Sequence, residues 1–127
     1  SQELEKYKDR KYLRKEACPN NNELECHVIS RVPTEKSSGY KYQVLWLDDT
    51  AAHKVWKIDY FDRKGSHLKT LFFDDYKIYL DKHWRPSVYK MINHQTGKST
   101  DLLVQNIKFK VGLSSRDFNS KSLSRAR

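Results

Sequence analysis

The chain has 127 residues, one domain's worth, with 25 Lys and Arg against 16 Asp and Glu and a formal charge of +9. A mean hydropathy of −0.92 and the lack of any run of about 20 apolar residues exclude a membrane-spanning helix. The charge does not make a nucleic-acid surface, because Glu3, Glu5, Asp9 and Glu16 are interspersed with Lys6, Lys8, Arg10, Lys11, Arg14 and Lys15, and only the tail from Arg116 to Arg127 is lopsided. No nucleic-acid partner is expected.

Residues 1–9 suit a helical turn or two, Leu4 and Tyr7 lying three apart, and residues 11–16 fit helix or strand equally. Cys18 and Cys26 flank a polar stretch, Pro-Asn-Asn-Asn-Glu-Leu-Glu, with only His27 adjacent, so the spacing is unlike a zinc site and no metal is expected. A disulfide joining two strands across that loop fits better than the alternative of two free thiols. It would stabilise the chain by roughly 2–3 kcal/mol and implies an oxidising space, the periplasm or the exterior. Residues 24–32 alternate, Leu24, Cys26, Val28, Ser30 and Val32 against Glu25, His27, Ile29 and Arg31, which predicts a strand.

After a turn at 33–39, a strand over 40–47 places Tyr42, Val44 and Trp46 on one side, and 48–52 turns the chain again. Residues 54–61 put Trp56, Ile58 and Tyr60 on one face and Val55, Lys57, Asp59 and Phe61 on the other. Asp62-Arg-Lys-Gly65 supplies a hairpin turn, with Gly65 suited to positive φ. A strand over 68–73 follows, Asp74-Asp75 interrupts it, and 76–80 continues extended. Pro86 opens the next strand, where its missing N–H is tolerated, with Tyr89 and Met91 opposite in phase to Val88, Lys90 and Ile92. A second turn at Asn93–Gly97 leads into a long strand over 100–111, and Ser114 to Phe118 has the pattern of a capped helical turn.

No catalytic constellation emerges. His27, His53, His67, His83 and His94 are scattered beside turns with no His-x-x-x-His pairing, and read as solvated loop residues. Asp48-Asp49 and Asp74-Asp75 point to opposite faces and read as turn formers. Gln95-Thr-Gly97-Lys98-Ser99-Thr100 imitates the end of a phosphate loop but lacks its first glycine and joins two strands instead of leading into a helix. Neither an enzyme nor a cofactor is expected.

The ordered set Trp46-Leu-Asp48, Tyr60-Phe-Asp62-Arg-Lys-Gly65, Lys69, Trp84-Arg-Pro86, Met91-Ile-Asn93, Thr96-Gly97-Lys98 and Thr100, closing with Phe118 and Leu123, resembles the C-terminal half of the LolA-like outer-membrane lipoprotein-sorting proteins, in the branch linked with RND-type exporters. The resemblance spans roughly residues 40–123 and rests on order and spacing. It implies a mainly β (α+β) fold: a curved antiparallel sheet, part of a LolA-like half-barrel, with short helical segments. Residues 1–127 are then expected to be a single domain, the C-terminal part of a longer protein.

The resemblance further implies a periplasmic, non-enzymatic carrier that binds a lipid or the acyl chains of a lipoprotein, with an RND-type exporter or other envelope protein as partner. The alternative is a periplasmic sensor or protein-interaction module on the same fold. The more apolar strand phase, Tyr42, Val44, Trp46, Trp56, Ile58, Tyr60, Leu71, Phe73, Tyr89, Met91, Ile107 and Phe109, is the expected ligand-binding face, although such a phase reads equally as core under a helix. Ile58 and Tyr60 should then be less exposed than Lys57 and Asp59. A bare sheet edge should promote self-association.

Overall fold

A computed structural model describes residues 6–80 and 82–103. They form seven strands: β1 (Tyr7–Cys18), β2 (Asn21–Pro33), β3 (Tyr40–Asp48), β4 (Val55–Asp62), β5 (His67–Tyr79), β6 (His83–Asn93) and β7 (Ser99–Leu103), with one 3₁₀ turn at Lys36–Ser38. Each strand pairs antiparallel with the next in sequence, giving one curved sheet in the order β1-β2-β3-β4-β5-β6-β7. This agrees with the half-barrel sheet that the resemblance implies.

Both glycine turns behave as their chemistry requires. Gly65 sits at φ 90° and Gly97 at φ 78°, where a Cβ would be strained. Asp62 closes the first turn: its Oδ1 accepts the amides of Lys64 and Ser66 at 3.0 and 2.9 Å. Asn93 plays the same part in the second, accepting from the Gln95 and Thr96 amides at 2.9 and 3.0 Å.

Two elements differ from expectation, and a third lies partly outside the described residues. The helical turn foreseen within residues 1–9 is strand from Tyr7 onward, and residues 11–16 are strand too, because the β1 backbone is claimed by its ladder with β2, from Tyr7 opposite Pro33 to Cys18 opposite Asn21. Asp74-Asp75 does not break β5; Asp75 adopts φ 51° while pairing with β6 continues on either side of it. Ser87 Oγ donates to the Asp75 carbonyl and carboxylate, both at 2.7 Å, which supports that kink. The last strand is described only to Leu103; its predicted continuation and the helical turn at 114–118 lie outside the described residues.

Register assigns the side chains to two faces. On one, Val28, Trp46, Lys57, Phe72 and Lys90 form a row across β2–β6, and Ser30, Val44, Asp59, Thr70 and Ile92 form the next. On the other, Ile29, Leu45, Ile58, Leu71 and Met91 lie in line. The pairing of β3 with β4 shifts between Trp46–Lys57 and Leu47–Val55, so Trp56 is an extra, bulged residue. A bulge of this kind turns two successive side chains to one side. Trp56 accordingly joins the Trp46 face, and Lys57 Nζ also lies there, 4.2 Å from the Trp46 ring centroid.

The main buried cluster occupies this Trp46 face: Cys18, Cys26, Val28, Val44, Trp46 and Trp56, flanked by Leu24, Tyr42, Phe61 and Tyr76. The Cys18–Cys26 disulfide, with Cα atoms 4.9 Å apart, ties the turn end of the β1–β2 hairpin into it. Replacing both cysteines by serine should lower stability by about 2–3 kcal/mol, from the lost loop constraint together with two buried hydroxyls. Urea denaturation of the variant, and of the native chain with and without reductant, measures this.

Against the Trp56 indole lies a fully buried carboxylate, Asp48. Its Oδ1 accepts from Thr50 Oγ1 at 2.6 Å and from the Thr50 and Lys54 amides at 3.2 and 3.1 Å. Its Oδ2 accepts from Trp56 Nε1 at 3.0 Å and faces Lys54 Nζ at 3.3 Å. Burial alone would raise its pKa; the hydrogen bonds from Thr50, Trp56 and Lys54 overcome that and hold it at about 2. Asp48 is therefore an anchor for the β3–β4 connection, more than the simple turn former expected from sequence.

Candidate lipid-binding face and its basic cleft

The twelve residues expected on one ligand-facing surface do not share a face. Tyr42, Val44, Trp46 and Trp56 belong to the Trp46 face, three of them in the buried cluster. Ile58, Tyr60, Leu71, Phe73, Tyr89 and Met91 project from the opposite, Leu45 face. Ile107 and Phe109 lie outside the described residues. The bulge at Trp56 is the reason: it inverts the alternation between Trp56 and Ile58, which no period-of-two reading registers.

The exposure order also departs from expectation. Asp59 is as buried as Ile58, each at 8 %. A buried carboxylate needs hydrogen-bond partners, and Asp59 has them. Thr70 Oγ1 donates to Asp59 Oδ1 at 2.6 Å, while His94 Nε2 and His67 Nε2 lie 2.7 and 3.1 Å from the same hydroxyl. His67 Nε2 also lies 3.1 Å from Asp59 Oδ1, so the two imidazoles, the hydroxyl and the carboxylate form one hydrogen-bonded group. The two rings face each other at a tilt of 30°, with centroids 4.0 Å apart. His67 and His94 are thus structural partners rather than solvated loop residues. No cluster of three or more His, Cys, Asp or Glu among the described residues is arranged to hold a metal.

The Leu45 face is the more continuous apolar surface. Its central row, Ile29, Leu45, Ile58, Leu71 and Met91, crosses five strands without a polar residue. On one side the next row is polar, Arg31, Gln43, Tyr60, Lys69 and Asn93, with Lys69 Nζ 4.8 Å from the Tyr60 ring centroid. Burial, then neighbouring Tyr40 and Tyr7, push the Tyr60 hydroxyl up to about 12, so it stays neutral. On the other side Phe73 and Tyr89 meet edge to face, centroids 5.5 Å apart, and extend the apolar surface.

Beyond Phe73 and Tyr89 the β5–β6 hairpin runs past the end of the β4 ladder, which stops at Lys57 opposite Phe72. There a cleft of about 520 Å³ opens, walled by Val55, Phe73, Tyr76, Trp84, Pro86 and Tyr89 and rimmed by His53, Lys54, Lys82, His83 and Arg85. Tyr76 fixes its floor: its hydroxyl donates to the Val55 carbonyl, and its ring packs edge-on against Trp56 at 5.2 Å. Lys54 Nζ lies 4.9 Å from the Trp84 ring centroid. Burial raises the Tyr76 and Tyr89 pKa values, so both present neutral hydroxyls. A second cleft, of about 440 Å³, lies on the Trp46 face between Asn20 of the β1–β2 turn and Phe72, Val88, Ile92 and polar neighbours.

Sequence reasoning missed Ile29 and Leu45, which complete the apolar row, and the basic rim of the larger cleft. The alternation at Ile29 was visible, but pairing it with Leu45 requires the β2–β3 register. Lys54 is far in sequence from Lys82 and Arg85, and only the long β5–β6 hairpin brings it to the same opening.

Comparison with known proteins agrees with this architecture. A family model described only as an uncharacterized protein matches residues 1–125, and no curated protein matches the chain. A solved domain from Vibrio parahaemolyticus, named for outer-membrane lipoprotein sorting, superposes with a TM-score of 0.76 at 45 % identity over 95 % of this chain and 49 % of its own. A DUF1329 family protein from Desulfovibrio piger gives a TM-score of 0.73 at 24 % identity, over 96 % of this chain and 48 % of its own. A LolA superfamily protein from Nitrosomonas europaea gives 0.64 at 18 %, over 89 % and 51 % respectively. The last two share the fold. The chain spans about half the length of each of these structures. With its meander, curvature and motif order in agreement, the chain belongs to the family whose model matches residues 1–125, and its fold is the LolA-like half-barrel sheet shared with the solved lipoprotein-sorting domain it resembles.

Proposed function

We propose that this chain is part of a periplasmic carrier that binds a lipid or the acyl chains of a lipoprotein and passes them on within the envelope, with an RND-type exporter or another envelope protein as its exchange partner. One observation carries the reading: the unbroken apolar row Ile29, Leu45, Ile58, Leu71 and Met91 on the Leu45 face. Burying acyl chain against such a row gains about 0.8 kcal/mol per CH₂, and release then follows from transfer to a competing apolar surface. Residues 1–127 would serve as one domain of a longer protein.

Leu71 and Met91 are only part-buried, so charges there test the surface with least damage to the fold. Leu71→Glu and Met91→Glu should each weaken binding of a fluorescent fatty acid at least tenfold, since a carboxylate buried against acyl chain is unpaired. Lys90→Glu, on the Trp46 face, should stay within about twofold because its side chain does not meet the ligand. Circular dichroism establishes that each variant is folded. Folded Leu71→Glu and Met91→Glu proteins that bind at the native level would remove this reading.

A second role rests on β1, which forms the sheet edge among the described residues and exposes Tyr12 and Leu13 at 58 % and 44 %. Such an edge offers its backbone for strand addition, so the isolated chain should self-associate in analytical ultracentrifugation. A strict monomer up to millimolar concentration would count against an available edge.

A further inference from the structure

We infer that the cleft at the root of the β5–β6 hairpin takes the acidic, phosphate-bearing headgroup of the carried lipid, so that the chain selects anionic phospholipid over zwitterionic. The inference rests on the carrier reading and specifies its ligand. Three observations carry it. First, the cleft is continuous with the apolar face: Phe73 and Tyr89 adjoin the Leu71–Met91 pair on that face and also line the opening. A lipid whose acyl chains cover Leu71 and Met91 can reach across Phe73 and Tyr89 and place its headgroup in the cleft.

Second, the charge is one-sided. Every ionisable side chain of acidic or basic type among the described lining residues is a base, namely His53, Lys54, Lys82, His83 and Arg85. Lys54 is already engaged by Asp48 at 3.3 Å, whereas Lys82 and Arg85 are exposed at the rim. A pair of cations around a part-enclosed opening suits a phosphate, with the Arg fork able to grip two of its oxygens.

Third, the walls provide what an amphiphile needs near its headgroup. Trp84 is 44 % exposed, and the indole and the neutral tyrosines suit the boundary between polar and apolar groups. The volume of about 520 Å³ lies within the range of small-ligand sites, sufficient for a phosphate and its glycerol linkage.

The test uses monomeric short-chain lipids, dihexanoyl phosphatidylglycerol and dihexanoyl phosphatidylcholine, and inorganic phosphate as competitor, read by titration calorimetry. The native chain should bind the phosphatidylglycerol about tenfold or more tightly than the phosphatidylcholine, in keeping with one charge-assisted contact. Lys82→Glu with Arg85→Glu should bring that ratio to about one or below, weakening the net-anionic phosphatidylglycerol more than the zwitterionic phosphatidylcholine. Lys8→Glu with Lys11→Glu, an equal charge reversal on exposed β1 positions, should leave the ratio unchanged.

Equal affinity of the native chain for both lipids would overturn the headgroup site and leave the carrier reading standing. A β1 control that loses the ratio as fully as the cleft variant would reduce the effect to net charge and overturn the site. Inorganic phosphate that displaces the phosphatidylglycerol at equal concentration would identify a free-anion site and overturn the lipid assignment. Binding of neither lipid would sink the carrier reading and this inference with it.

Discussion

Asp48→Ala is expected to lower stability by about 3–5 kcal/mol, the cost of removing one partner from a buried, hydrogen-bonded charge network. The carboxylate is fully buried and gathers five interactions, from the Thr50 hydroxyl and amide, the Lys54 amide and ammonium, and the Trp56 indole. Alanine leaves those donors without an acceptor and Lys54 without its counter-charge. The same network makes stability depend on acid. Because Asp48 titrates at about 2 in the fold against an ordinary 3.8, its ionised form favours folding by about 2 kcal/mol. The shift is downward, so this contribution is complete above the unfolded pKa and is lost as pH falls through the folded value. Urea midpoints measured from pH 6 to pH 2 should therefore decline below about pH 4 in the native chain and lose that component in Asp48→Asn. A native-like midpoint for Asp48→Ala would mean that the carboxylate is no anchor.

Trp56→Ala should be nearly as damaging, about 3–5 kcal/mol, because it empties a large volume in the main buried cluster. Trp56→Phe separates packing from hydrogen bonding. It keeps most of the apolar contact with Tyr76 but removes the indole N–H that reaches Asp48 at 3.0 Å, and should cost about 1.5–3 kcal/mol as a bond to a charged group. Combined with Asp48→Asn in a double-mutant cycle, it should show a coupling of at least about 0.5 kcal/mol. Additive effects within error would place the indole elsewhere than over the carboxylate, and with it the bulge that aims it there.

The fold was largely legible because each strand announces itself locally. Alternation marks residues 24–32 and 40–47, Asp62-Arg-Lys-Gly65 and Asn93–Gly97 have turn chemistry, and every pairing joins neighbours in sequence, so no crossover had to be guessed. What local pattern does not encode is the relative phase of one strand against the next. Trp56 and Ile58 look like members of one phase, and only the shift in β3–β4 pairing reveals that they face opposite ways. The polar partners were hidden for a related reason. Asp59, Thr70, His67 and His94 come from two strands and a turn, and their mutual satisfaction depends on a register that composition leaves open. β1 was misread at its start because its long run of exposed charges lacks an apolar stripe for either helix or strand, and pairing with β2 decided the matter.

The strand order itself bears on how the chain reaches this state. Since every ladder links consecutive segments through a short connection, no distant closure has to precede a productive contact, and the entropic barrier is lowest for hairpins that form early and extend one neighbour at a time. Fewer non-local pairings should give folding faster than in Greek-key sandwiches of similar length. Growth by accretion also means that each partly assembled sheet presents a temporary open ladder to solvent. The early-closing disulfide hairpin at one end, and the turn-locked β4–β5 hairpin in the middle, are the natural seeds from which the remaining strands add.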